Sequence, residues 1–182
     1  MSWAAIILLV CWFGWGYPFI MRAPHRQKRP SISEPKPTII GAALQGCAIF
    51  VAWAFRLTAE PGTGRVVLSL VFGPIGVVLA WYAVRHLGKQ WRLSAGVYSD
   101  HELIRTGPYR VVRHPVYASL LAILLSTLFL LTRWPWSVVS LVLYVIGTEV
   151  RIWAEERLLA SRFGCEFATY RRNVPAYLPF IR

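Results

Sequence analysis

The residues of this chain whose types suit chemistry fall in two short stretches. The first is Gly107-Pro108-Tyr109-Arg110-Val111-Val112-Arg113-His114-Pro115-Val116-Tyr117, and the second is Arg151-Ile152-Trp153-Ala154-Glu155-Glu156. A carboxylate beside aromatic faces suits a ligand with a positive centre. An arginine is permanently charged and forked, so it suits a carboxylate gripped by both oxygens. Arg151 and Glu155 are four residues apart, which places them on one helix face. No His or Cys spacing matches a zinc site, and no Gly-rich phosphate loop is present.

The elements that must position these residues are helices in a bilayer. Hydrophobic residues make up 56% of the chain, with nine tryptophans, and they come in long runs. Gly107-Pro108 marks a turn, because that pair does not sit inside a helix. Pro115 is tolerated in the first turn of the helix that follows. The formal net charge of +12 raises the possibility of nucleic acid as a partner. The basic residues lie in the gaps between apolar runs, however, which excludes that reading and turns them towards anionic lipid headgroups.

Five spans are expected: residues 3–20, 38–55, 66–84, 116–131 and 137 to about 153. Residues 3–20 compete with a signal peptide, but no basic stretch precedes them and no small-residue cleavage site follows. In the second span Gly41, Ala42 and Gly46 offer small faces for packing, and Gln45 is expected to face another helix. In the third, Gly73-Pro74-x-Gly76 is expected to kink the helix, either to open room for a ligand or to relieve packing. Of the twenty Lys and Arg, only Arg56, Arg65 and Arg133 fall in the two short connectors. That asymmetry places 21–37, 85–114 and the C-terminal tail in the cytoplasm, with the N-terminus outside. The expected fold is therefore an all-α integral membrane protein forming a single domain, with three N-terminal spans in 1–84 and a core in 85–182.

The fourth and fifth spans are joined by the tight turn 132–136 and form an antiparallel helical hairpin. The chain thus returns to the face it left. His114 at the start and Arg151, Glu155 and Glu156 at the end are expected to meet at one cytoplasmic mouth, with Arg151 one turn deeper towards the bilayer.

The ordered series Gly107-x-Tyr109-x-x-x-Arg113-His114-Pro115-x-Tyr117, then Glu155-Glu156-x-x-Leu159, Phe163-Gly164-x-Glu166 and Tyr170-x-x-x-Val174-Pro175 resembles the isoprenylcysteine carboxyl methyltransferases. The related phospholipid N-methyltransferases share part of it. The resemblance runs from about His86 to the C-terminus; the first two spans match only in being apolar. The chain departs from the family pattern at Ser119, where Gly is common, and at Phe167, where Tyr is common.

The resemblance implies an S-adenosyl-L-methionine-dependent methyltransferase acting on the carboxylate of a prenylated cysteine or a similar lipid-like acid. It places the cofactor against His101, Glu102, Leu103, Ile104, Tyr109, His114, Pro115, Val116 and Tyr117, and against Glu155 on the returning helix. It gives Arg151 the substrate carboxylate, so Arg151, Glu155 and His114 form the catalytic set. Methyl transfer to an ionised carboxylate needs alignment and exclusion of water more than acid–base help. A phospholipid or amine acceptor, or a sterol-type reductase binding a nicotinamide, are the alternatives. Simpler readings stand beside these roles. Arg110 and Arg113 suit inner-face anchors, His114 a helix-start cap, and Glu155 and Glu156 a solvated face paired with Arg151 and Arg157, which fits Glu156 best. His25 and His86 read as interfacial, Cys11 and Cys47 as buried apolar residues, and Cys165 as a free thiol.

Overall fold

The computed structural model describes residues 3–22, 32–33, 35–88, 96–97 and 102–179, so His25 and His101 lie outside the described residues. Five helices appear where five spans are expected: α1 Trp3–Met21, α2 Pro35–Ala54, α3 Thr63–Leu87, α4 Pro115–Leu131 and α5 Trp134–Asn173. A two-residue antiparallel pairing of β1 (Ile32–Ser33) with β2 (Gly96–Val97) and a 3-10 turn at Gly107–Arg110 complete the order. Helices α1, α2, α3 and α5 are each long and apolar enough to cross a bilayer, while α4 is apolar but only 17 residues long. The protein is an all-α integral membrane protein.

The shortness of α4 follows from its place in the bundle. Twelve of its residues are buried, and its few polar side chains all find partners on neighbouring helices. Trp12 donates to the Thr127 hydroxyl at 2.9 Å, Trp15 to the Ser119 hydroxyl at 3.0 Å, and the Ser69 and Ser126 hydroxyls pair at 2.9 Å. Ser119, at a position where glycine was expected, also donates to the Val116 carbonyl. Such bonds hold polar groups that would otherwise be unsatisfied in hydrocarbon.

The antiparallel hairpin of α4 and α5 forms as expected and brings His114 back to Glu155. Helix α4 packs mainly on α3 and α5 mainly on α2, and the two hairpin helices contact each other far less. They meet around Tyr117, whose carbonyl accepts from the Tyr144 hydroxyl at 2.5 Å and whose own hydroxyl donates to Glu155. The glycines show why these pairings are close. A Cβ at Gly76 would lie 3.0 Å from the Ile123 nitrogen and the Ser119 carbonyl, and one at Gly73 would lie 3.1 Å from Cys11 Sγ and Ser126 Oγ. Helix α3 runs unbroken through Pro74, and the glycines of this motif serve close packing against α1 and α4. On the other side Gly41 faces Gly147 across the α2–α5 crossing, whereas Gly46 faces open space. Cys47 is exposed rather than buried, while Cys11 is in the core.

The two ends of the bundle differ in character. At one end the short connectors join: Leu57 donates to the Leu131 carbonyl, Arg133 to that of Phe55, and Arg65 caps the C-terminus of α4 through the Leu128, Phe129 and Thr132 carbonyls. At the other end β1 meets β2, and the loop before α4 meets the C-terminal segment. The fifth helix does not stop near Trp153. It continues to Asn173, broken by Gly164 at φ 49°, because Leu158, Phe167 and Tyr170 still have a buried face to occupy.

Gly76→Ala is expected to destabilise the bundle by ~1–3 kcal/mol, since helix backbones must part to admit the methyl group. Gly64→Ala, with nothing within 4 Å, is expected to be neutral or slightly stabilising. Thermal unfolding in detergent checks the contrast, and equal melting of Gly76→Ala and the parent would contradict it.

Candidate active site

The site is built on a turn that only glycine can make. Gly107 has φ +59°, and a Cβ there would run into the His86 imidazole. His86 is thereby a packing residue, its Nδ1 2.8 Å from the Tyr82 carbonyl. The turn buries Tyr109, whose carbonyl accepts from the Tyr170 hydroxyl at 2.6 Å. The chain then pairs with the C-terminal segment: Arg113 N–H donates to the Pro175 carbonyl at 2.8 Å and His114 N–H to that of Ala176 at 2.7 Å.

Arg113 locks this arrangement. Its guanidinium donates to Glu156 Oε1 at 2.6 and 2.9 Å, to the Arg171 carbonyl at 3.0 Å and to the Val174 carbonyl. Both side chains are almost fully enclosed, at 2% and 6% exposure. Glu156 also takes Arg171 at 3.1 Å. The solvated-face reading of Glu156 is therefore corrected, and Arg113 is no simple surface anchor. Arg110, by contrast, is exposed.

His114 sits between two carboxylates. Its Nδ1 is 3.5 Å from Glu155 Oε2 and its Nε2 3.4 Å from Glu156 Oε1. It occupies the cap position of α4, but its side chain makes no capping bond. Burial opposes its charged form, yet the bonds to Glu155 and Glu156 outweigh that and raise its pKa above the ordinary value. An imidazolium donates from both nitrogens, which is what this position asks for.

Glu155 accepts from the Tyr117 hydroxyl and lies 4.0 Å from Arg151 Nη2. Its side chain is 26% exposed, so it can be reached where Glu156 cannot. The Arg151 guanidinium lies 5.0 Å from the Tyr117 ring centroid, and its Nη1 donates to the Gln45 amide oxygen at 3.0 Å. Its Nε is buried without a hydrogen-bond partner among the described residues.

The structure thus brings His114, Tyr117, Glu155 and Arg151 together, as expected from their positions. Pro115 and Val116 form the first turn of α4 beside them, with Pro115 buried. Tyr109 faces the C-terminal helix instead. Glu102 is exposed and Leu103 and Ile104 are half-buried; the described contacts do not join them to the cluster. Sequence reasoning placed Gln45 against another helix but did not connect it with Arg151. A lone amide in an apolar span was the available signal.

Together these features define an integral membrane protein whose helices converge on one cluster of paired charges at a single end. Residues 66–161, slightly more than half of the chain, match the isoprenylcysteine carboxyl methyltransferase (ICMT) family. The chain belongs to that family. It is 39% identical over 83 residues to a protein-S-isoprenylcysteine O-methyltransferase of Schizosaccharomyces pombe, covering 45% of this chain and 35% of that one. It is 36% identical over 130 residues to the protein-S-isoprenylcysteine O-methyltransferase of Saccharomyces cerevisiae, covering 70% and 52%. It is also 32% identical over 119 residues to the cobalt-zinc-cadmium resistance protein CzcN of Cupriavidus metallidurans, covering 65% and 52%. The chain spans between about a third and about half of the length of these three relatives.

Glu156→Gln is expected to lower stability by roughly 3 kcal/mol, because it leaves the Arg113 charge buried without its counter-ion. Thermal unfolding in detergent reads this, and an unchanged melting temperature would contradict it. A second expectation concerns pH. A raised pKa means that His114 contributes stability fully below its ordinary value of about 6.5 and loses it as pH rises through the raised value. A melting profile across that range should fall for the parent and lose this component in His114→Gln; identical profiles would contradict it.

Proposed function

We propose that the chain is a membrane-embedded S-adenosyl-L-methionine-dependent methyltransferase that esterifies the carboxylate of a prenylated cysteine or a similar lipid-like acid. The observation that carries this reading is Arg151, held one helical turn before Glu155 with a buried Nε that has no partner among the described residues. An arginine donor left unsatisfied in a largely dry place is costly unless an anion arrives to take it. The names of the yeast relatives supply the acceptor class, protein-S-isoprenylcysteine.

The residues fit a sulfonium cofactor. Glu155 offers a carboxylate that is reachable from outside, and Tyr117 and His114 flank it with rings 5.8 Å apart. When bound, the cofactor supplies a methyl group on a good leaving group. Glu155, Tyr117 and His114 would hold it. His114, tied to both carboxylates, fixes where Glu155 points. Arg151 orients the acceptor carboxylate, which is already ionised at neutral pH and needs no base. Enclosure of the cluster by α2, α4 and α5 limits water. The basic residues that crowd this end of the bundle support a cytoplasmic active site.

Arg151→Ala is expected to reduce turnover of a prenylcysteine roughly thirty- to a hundred-fold, the worth of a charge-assisted bidentate contact. Arg151→Lys should be impaired less. Both should bind S-adenosylhomocysteine like the parent in calorimetric titration, whereas Glu155→Ala and His114→Ala should bind it about tenfold more weakly. Undiminished transfer in Arg151→Ala would defeat the carboxylate reading. Unchanged S-adenosylhomocysteine affinity in both other variants would mean the cofactor lies elsewhere.

A further inference from the structure

Gln45 lies on α2, outside the residues that match the family, and is 3% exposed in the middle of an apolar helix. Its orientation is fixed by chemistry. Arg151 can only donate, so the Gln45 oxygen must face it, at 3.0 Å from Nη1. The Gln45 nitrogen then donates to the Thr148 hydroxyl at 2.8 Å. Both ends of the amide are used, and it cannot turn over without breaking both bonds.

The choice of guanidinium nitrogen has a consequence. A guanidinium has a side-on edge formed by Nε and Nη2, two parallel donors that match the two oxygens of a carboxylate. Gln45 takes Nη1, the nitrogen outside that edge. Among the described residues Nε has no hydrogen-bond partner, and the carboxylate near Nη2 is Glu155 at 4.0 Å, beyond hydrogen-bond reach. The stem of Arg151 is held too. A Cβ at Gly41 would run into Arg151 Cγ and lie 2.6 Å from the Gly147 carbonyl, and one at Gly147 would lie 2.7 Å from the Gly41 carbonyl. The missing side chains of Gly41 and Gly147 let α2 and α5 cross closely enough for Arg151 to lie over α2 and reach Gln45.

We propose that Gln45 is a positioning residue that selects for a carboxylate acceptor: by holding Nη1 it keeps Arg151 from collapsing onto Glu155 and presents the Nε–Nη2 edge to the substrate. This rests on the proposed carboxylate chemistry. Without Gln45, the guanidinium is free to close the gap to Glu155, its charge is taken up internally, and the fork is lost. A span that resembles the family only in being apolar thereby supplies part of the acceptor site.

The test compares an S-prenyl N-acetylcysteine with its methyl ester, both titrated into the full chain in detergent with S-adenosylhomocysteine present. The parent should bind the acid more tightly than the ester. Gln45→Leu should lose about tenfold of that preference, the scale of one charge-assisted contact, while ester affinity stays within twofold. Gln45→Met has nearly the same length and shape but offers Nη1 only a weak sulfur acceptor, so it would rescue a merely structural role. It should nevertheless lose the preference as well, because Nη1 is no longer held. If the parent favours the acid and Gln45→Met still does, the positioning role is overturned while the carboxylate reading stands. If the parent shows no preference, the carboxylate reading fails and this role with it. Should Gln45→Leu not fold, Gln45→Met decides alone.

Discussion

The buried pair between Arg113 and Glu156 is the contact on which the functional end of this protein depends. Helices α4 and α5 lean on different partners, α3 and α2, so packing in the bilayer does not by itself bring their polar ends into register. The ion pair does, together with the backbone bonds from Arg113 and His114 to Pro175 and Ala176. Enclosing two charges carries a large desolvation penalty, and such a pair holds only when the remaining donors are also satisfied. Here the Arg171 and Val174 carbonyls take the rest of the Arg113 fork, and Arg171 takes the other Glu156 oxygen. Three separate pieces of chain are pinned at one point.

Adjacent carboxylates then have different work. Successive helix residues point about 100° apart, so Glu156 turns inward to Arg113 while Glu155 turns to Tyr117 and the opening. His114 lies between them and transmits the position of one to the other. The same helix carries Arg151 one turn further along, where α2 supports it. The two carboxylates thus differ in access: Glu156 is enclosed with Arg113, Glu155 stays partly exposed beside Tyr117, and His114 touches both.

Much of this was legible in the sequence. Apolar runs placed both ends of the first four helices and the start of the fifth to within a few residues, and the parity of spans brought His114 to Arg151 and Glu155. The fate of Glu156 was hidden because its partner, Arg113, lies 43 residues earlier; a local pattern of Glu beside Arg151 and Arg157 looks like any solvated helix face. The role of Gly73 and Gly76 was hidden for the same reason, since a Gly-Pro-x-Gly run shows its own flexibility but not the backbone of α4 against it. The extension of α5 to Asn173 went unseen because its charged outer face masks the spaced apolar residues Leu158, Phe167 and Tyr170. Gln45 announced a partner without naming it, since an amide serves equally as donor and acceptor.

The central claim is that this cluster joins a methyl donor to a lipid-borne carboxylate. Its most direct measurement is incubation of the purified chain, reconstituted in vesicles, with methyl-labelled S-adenosylmethionine and an S-prenyl N-acetylcysteine. Label should enter the prenylcysteine as a methyl ester and be released as methanol by mild base. Label that resists base and travels with the vesicle phospholipid, or no transferred label at all, would contradict the account.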